Sequence, residues 1–254
     1  MRRSWIDLAT SIHPSLLKPR FSYENETAND RWIAEYIFPG KRNGYFLEAG
    51  AANGQGGSSC YVLERQLGWT GICVEPHDDF FRELVHNRPN SIHENVCLAG
   101  KAGMVSFVQG AGEPSRPDYC SGIRENLLTK TGGSDIVESG KTVQKAAFPL
   151  AEVLDKHGAP AVIDYGAFDI EGSELEVLEP FPFSRYTFRA MSLECDASVD
   201  RLSRLLTDAG YREVRNPFNR TRPWERPWRT SSSRPRCSTR FTSGCTLRSA
   251  RNYG

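Results

Sequence analysis

The chain has 254 residues, 39% hydrophobic and 25% charged, as expected of a globular protein with one α/β domain and an appendage. No apolar run approaches the ~18 residues that a membrane span needs, and no apolar stretch follows the charged start Met1–Ser4, so neither anchor nor secretion signal is expected and a cytoplasmic location is the default. The formal charge of +1 hides two unlike segments: residues 219–254 hold nine arginines, no lysine and one acid, Glu225, which leaves the first 218 residues about −7.

Residues 1–40 read as an N-terminal segment with one helix. Thr27 caps it, Asp30 suits its positive end, and Trp32, Ile33, Tyr36 and Ile37 share one face until Pro39-Gly40 stops it. Strand and helix patterns then alternate through residues 41–218. Gly44–Ala49 is a buried strand, Ser58–Leu67 a helix, Gly71–Glu75 a strand, Asp78–Asn87 a helix and Ile92–Leu98 a strand. Met104–Val108 is a short strand. Gly110–Lys141 is polar and Gly/Ser-rich without a period, which suits a lid or a floppy insertion equally. Val143–Ala147 (strand), Leu150–Lys156 (helix), Ala161–Ile170 (strand), Glu171–Leu178 (helix), Thr187–Glu194 (strand), Ser198–Ala209 (helix) and Tyr211–Arg215 (strand) complete the series. Such alternation implies βαβ units and a mostly parallel sheet.

Seven cysteines occur without a CxxC pair, so neither a disulfide framework nor a zinc site is expected; Cys73 and Cys97 read as small core residues. Residues 219–254 are Arg/Ser/Thr-rich and almost free of aliphatics, and cannot bury enough surface to order themselves. A nucleic-acid-binding arm is not favoured, because no aromatic interleaving accompanies the charge. Abundant arginine without lysine resembles an out-of-frame reading of a GC-rich gene.

One short stretch carries chemistry. In "FLEAGAANGQGG", residues 46–57, an apolar strand reaches Glu48 and then four glycines fall within eight residues. Glycine at a strand end lets a ligand approach backbone N–H groups, and the next helix presents its positive end. The spacing Gly50-x-x-x-Gly54-x-Gly56 departs from the dinucleotide pattern G-x-G-x-x-G. Glu75, ending "GICVE", is placed to accept hydrogen bonds from ribose hydroxyls, as in NAD and adenosylmethionine enzymes alike. Glu48 would repel a pyrophosphate and tolerate a sulfonium; its plainer role is to anchor the loop. In "DYGAFDIEGSE", residues 164–174, a strand delivers Asp169 and Glu171 to its C-terminal edge, where open α/β sheets bind ligands. Glu171, Ser173 and Glu174 also suit a helix start.

"GYFLEAGAANGQGGSSCYVLERQLGWTGICVEP" and "VIDYGAFDIEGSELEVLEPFPF" together resemble the FkbM family of class I, S-adenosylmethionine-dependent methyltransferases, over roughly Gly44 to Phe218. The family reads D-x-G-A-N-x-G in its first motif; here Glu48 replaces the Asp, and Ala52-Asn53 stand where the Asn and its neighbour would be. The resemblance implies a Rossmann-like, mostly parallel sheet of about seven strands with helices on both faces. It also implies S-adenosylmethionine as cofactor, and transfer of its methyl group to a small-molecule hydroxyl of polyketide, sugar or lipid type. On it, Glu48, Gly50, Ala51, Asn53, Gly54, Glu75, Pro76 and Asp169 are the cofactor-binding candidates, and Asp169 and Glu171 the catalytic ones. Its last antiparallel strand would fall after Phe218, where the sequence degenerates.

A hydroxyl acceptor benefits from a base; His77, His93 and His157 are available by type. Carboxylates at neighbouring strand ends, Asp169, Glu194 and Asp196, could instead hold Mg²⁺, although no metal site is assigned. A non-catalytic binding module on the same fold and an NAD-dependent oxidoreductase are the competing readings.

Overall fold

The computed structural model describes residues 18–110, 120–130, 132–194, 199–219 and 245–249. A short helix, α1 (Asn29–Arg31), opens directly into a π-helix, Trp32–Ile37. Then follow β1 (Tyr45–Ala49), α2 (Tyr61–Leu67), β2 (Thr70–Val74), α3 (Asp78–Asn87), β3 (Ile92–Glu94), β4 (Cys97–Leu98), β5 (Gly103–Gln109), β6 (Gly122–Ile123), α4 (Arg124–Leu127) and α5 (Gly133–Ser139). The remainder is β7 (Lys141–Phe148), α6 (Leu150–Lys156), β8 (Val162–Phe168), α7 (Glu174–Leu178), β9 (Thr187–Leu193), α8 (Val199–Asp208), β10 (Tyr211–Glu213) and β11 (Cys245–Ser249).

The main sheet runs β10-β11-β9-β8-β1-β2-β3. The stretch β9-β8-β1-β2-β3 is parallel, whereas β11 pairs antiparallel with both β9 and β10. Successive strand residues point to opposite faces, and both faces are covered. Leu47, Ile72 and Ile163 pack under Leu150, Leu154, Leu178 and Leu206 of the later helices. Phe46, Cys73 and Tyr165 face Trp32, Leu63, Leu67 and Leu84 of the earlier ones. A smaller sheet, β4-β7-β5-β6, stands beside the main one; Phe107, Ile123 and Ala147 make its core.

Several expectations need correction. The strand expected over Ile92–Leu98 is broken, and its halves serve different sheets. The break falls at Asn95, a poor strand former whose side-chain amide donates to the Glu75 carbonyl at 2.9 Å. Thr27 does not cap the first helix: Asn25 Oδ1 accepts from the Thr27 and Asn29 amides at 3.2 and 3.0 Å. The wider π turn then rotates Tyr36 into solvent, off its expected face. The polar stretch Gly110–Lys141 contains β6, α4 and α5; residues 111–119 and 131 lie outside the described residues. Cys120 is disulfide-bonded, contrary to expectation. Cys245–Ser249, within the Arg-rich tail, forms an ordered strand, because pairing with a sheet edge runs through the backbone. Residues 220–244 and 250–254 lie outside the described residues, so the expected disorder of that part of the tail does too.

Candidate active site

The parallel strands β1, β2 and β8 end at one edge, and a cavity of about 300 Å³ opens there. That volume is at the lower end of the range for small-molecule sites. Its walls come from the bend after β1 (Gly50, Ala51, Ala52), the tip of β2 (Glu75, Pro76) and the end of β8 (Asp169, Glu171). Asn25 and Glu26 reach in from the N-terminal loop, and the second sheet adds Cys97, Leu98, Phe107 and Ile123.

The bend has its shape for steric reasons. Gly50 and Gly54 sit at φ +78° and +79°. A Cβ on Gly50 would lie 1.8 Å from the Asp169 carbonyl oxygen, so glycine lets β1 and β8 close together here. The Gly50 and Ala51 amides both donate to the Val74 carbonyl, at 3.0 and 3.1 Å, which ties the bend to β2.

Glu75 is buried beneath this bend. Its Oε2 accepts from the Ala52 amide and its Oε1 from the His77 amide, both at 2.7 Å. Burial pushes its carboxyl up to about 7, against the lowering effect of those two hydrogen bonds and of Lys145.

Glu48 faces elsewhere. Side chains alternate along β1, and Glu48 points with Phe46 to the face covered by α2 and α3. Its Oε1 accepts from Ser58 Oγ, the Ser59 amide and the Cys60 amide at 2.7, 2.8 and 3.2 Å, and its Oε2 pairs with Arg88 at 2.7 Å. It does not line the cavity. Its charge is met by Arg88 and cannot repel a pyrophosphate there, so that discrimination against dinucleotides is withdrawn. Asn53 and Gly54 also stand behind the bend: Asn53 Oδ1 accepts from the Gln55 and Gly56 amides, and Gly54 packs on Leu84 and Arg88.

At the other end lies an acidic cluster. Ligand atoms of Asp169, Glu171 and Glu194 lie within 4.8 Å of one another. Lys130, from the polar stretch after α4, bridges Glu171 and Glu194, the latter at 2.9 Å. Its ammonium stands where a cation would join those two carboxylates, and Asp196 lies outside the described residues. Asp169 is accessible through the cavity and makes no ion pair among the described residues. Enclosure in the crevice, then the charges of Glu194, Glu171 and Glu174, hold its carboxyl well above the ordinary aspartate range. Glu174 turns back to accept from the Ile170 and Gly172 amides at 2.9 and 3.1 Å. Burial pushes its carboxyl up to about 8.

No histidine lines the cavity among the described residues. His77 caps α3, its Nδ1 accepting from the Asp79 amide at 3.2 Å. His93 Nε2 meets the Arg88 carbonyl, and His157 pairs with Glu94. Sequence reasoning missed Lys130, Asn25 and Glu26, because neither of their segments carries a periodic signal.

The chain matches the Methyltransferase FkbM domain over residues 48–213, and it belongs to that family. No curated protein matches it. Among solved structures it is similar to a chain from Galdieria sulphuraria provisionally named a sarcosine dimethylglycine methyltransferase, at 12% identity and a TM-score of 0.34. The likeness covers 73% of this chain and 62% of that one.

Proposed function

We propose that the chain is an S-adenosylmethionine-dependent methyltransferase, built on a class I sheet of about seven strands, that methylates a hydroxyl oxygen of a small molecule. The observation that carries this reading is Glu75: a carboxylate at the tip of β2 lines the cavity and is hydrogen-bonded to the glycine bend of β1. Its two oxygens each keep a lone pair beyond those used by Ala52 and His77, enough for two ribose hydroxyls. Gly50, Ala51 and Pro76 would flank the adenosine, and Asp169 would face the sulfonium end. The residues fit such a group: the described walls hold the carboxylates Glu26, Glu75, Asp169 and Glu171 and no Lys or Arg, which suits a cationic cofactor better than a pyrophosphate.

When bound, the cofactor supplies an electrophilic methyl group. The protein's part is to hold the acceptor in line and exclude water. Asp169 is the carboxyl placed to take the acceptor's hydroxyl proton, and its affinity for protons is raised above that of an ordinary aspartate. Glu171, paired with Lys130, would hold rather than deprotonate the acceptor. The test is transfer of label from methyl-labelled adenosylmethionine to a small-molecule extract. Labelled, base-stable ether products are expected; cofactor binding without labelled product would reduce the chain to a binding module.

A further inference from the structure

We infer that Arg88 is a positioning residue for the cofactor berth: it holds the bend between Gly50 and Ser58 in its binding shape before any ligand arrives, and so sets the affinity for cofactor. The inference rests on the proposed function. It goes further by assigning control of that site to a residue that never touches it.

Arg88 follows α3 and is fully enclosed. Its Nε pairs with Glu64 of α2 at 2.8 Å and its Nη1 with Glu48 of β1 at 2.7 Å. The same Nη1 reaches the Gly54 carbonyl at 3.3 Å and Ser58 Oγ at 3.2 Å. One guanidinium therefore touches the strand before the bend, the bend's middle, its end and the helix beyond. Glu48 completes the ring, since its other oxygen holds Ser58, Ser59 and Cys60.

The packing agrees. A Cβ on Gly54 would lie 2.7 Å from Arg88 Cγ, so the bend rests directly on this side chain. Asn87 next door donates to the Asn53 carbonyl at 2.8 Å. Arg88 itself does not line the cavity, so any effect on ligand passes through the bend. The bend is thus strung around a buried ion pair, which is the arrangement of a site shaped in advance of its ligand.

Removing the charge would strand two buried carboxylates and endanger folding. Arg88→Lys keeps the charge, but a single ammonium cannot reproduce the planar fork. The experiment compares wild type and R88K by calorimetric titration with S-adenosylhomocysteine and by hydrogen exchange of the amides of residues 50–60, well below either melting temperature. R88K should bind the probe at least tenfold more weakly. Its bend amides should exchange at least tenfold faster in the free protein and recover protection on saturation. Lower thermal stability with wild-type affinity and wild-type exchange would overturn the inference. Should wild type not bind the probe, the proposed function fails, and the exchange of the free bend alone decides the role of Arg88. If R88K does not fold, Glu64→Gln, which releases the guanidinium's other anchor, takes its place with the same expected results.

Discussion

The Ala52 amide donates to Glu75 Oε2 at 2.7 Å, which fastens the bend after β1 to the tip of β2. Ala52 adopts φ +45°, a conformation that costs an L-residue about 1 kcal/mol or more, and this hydrogen bond helps to hold it there. A carboxylate is needed because both its oxygens accept backbone N–H groups. Glu75→Gln would turn an amide donor toward one of them. The expected outcome is a folded protein that binds S-adenosylhomocysteine roughly 10- to 100-fold more weakly, the loss of one or two charge-assisted hydrogen bonds. Isothermal titration checks it.

Two glycines in the same bend should respond differently to alanine. At Gly50 the new methyl meets the Asp169 carbonyl, and φ is positive as well. G50A should lose several kcal/mol, on the order of the severe substitutions, or fail to fold. At Gly57, φ is +73° but nothing lies within 4 Å, so only backbone strain remains. G57A should cost about 1–2 kcal/mol. Urea unfolding of the two variants measures the contrast.

Stability should fall as pH rises from 5.5 to 8.5. Burial raises Asp30 to about 6, Glu75 to about 7 and Glu174 to about 8. Each binds its proton more tightly folded than unfolded, so the native state holds more protons between about 4.5 and 8 and loses stability as they leave. Burial of His77 lowers its proton affinity and works the other way, but its contribution is complete near its unfolded value of 6.5. Asp78 and Glu94, whose proton affinities are lowered, contribute fully above about 5 and add no slope. The net loss should be on the order of 5 kcal/mol, read from urea midpoints at the two pH values. Affinity for S-adenosylhomocysteine should run the opposite way, rising through pH 7 as Glu75 ionises. Greater stability at pH 8.5 than at 5.5 would contradict the assignment.

Asp169→Asn should abolish methyl transfer while leaving affinity for S-adenosylhomocysteine, which lacks the sulfonium charge, within about threefold. The change keeps the side chain's shape and removes the proton acceptor. Labelled-methyl assays beside calorimetry separate the two effects.

Much of the fold was legible because periodicity and turn chemistry agreed. The helices Asp78–Asn87 and Leu150–Lys156 occur with their expected bounds. The bend and the tip of β2 were legible as well, because glycine at a strand end has few other uses. Glu48 was misplaced although its direction could be read. It shares parity with Phe46, whereas Leu47 and Ala49 form the opposite face, so alternation alone turns it toward α2 and α3. Its partner Arg88 lies 40 residues away and carries no local signal. Lys130 was hidden for a similar reason: α4 and α5 are short and polar, and tertiary contacts with Glu171 and Ser173 define them rather than a hydrophobic period. The strand Cys245–Ser249 lay in a segment judged by composition, which does not register pairing to a sheet edge.

Calorimetric titration of the wild-type chain with S-adenosylmethionine and, separately, with NAD is the most direct trial of the cavity at Glu75. Saturable binding of the first at micromolar concentrations, weakened in E75Q, with no heat from the second, is the predicted result. Tight binding of NAD, or adenosylmethionine binding that E75Q leaves unchanged, would contradict it.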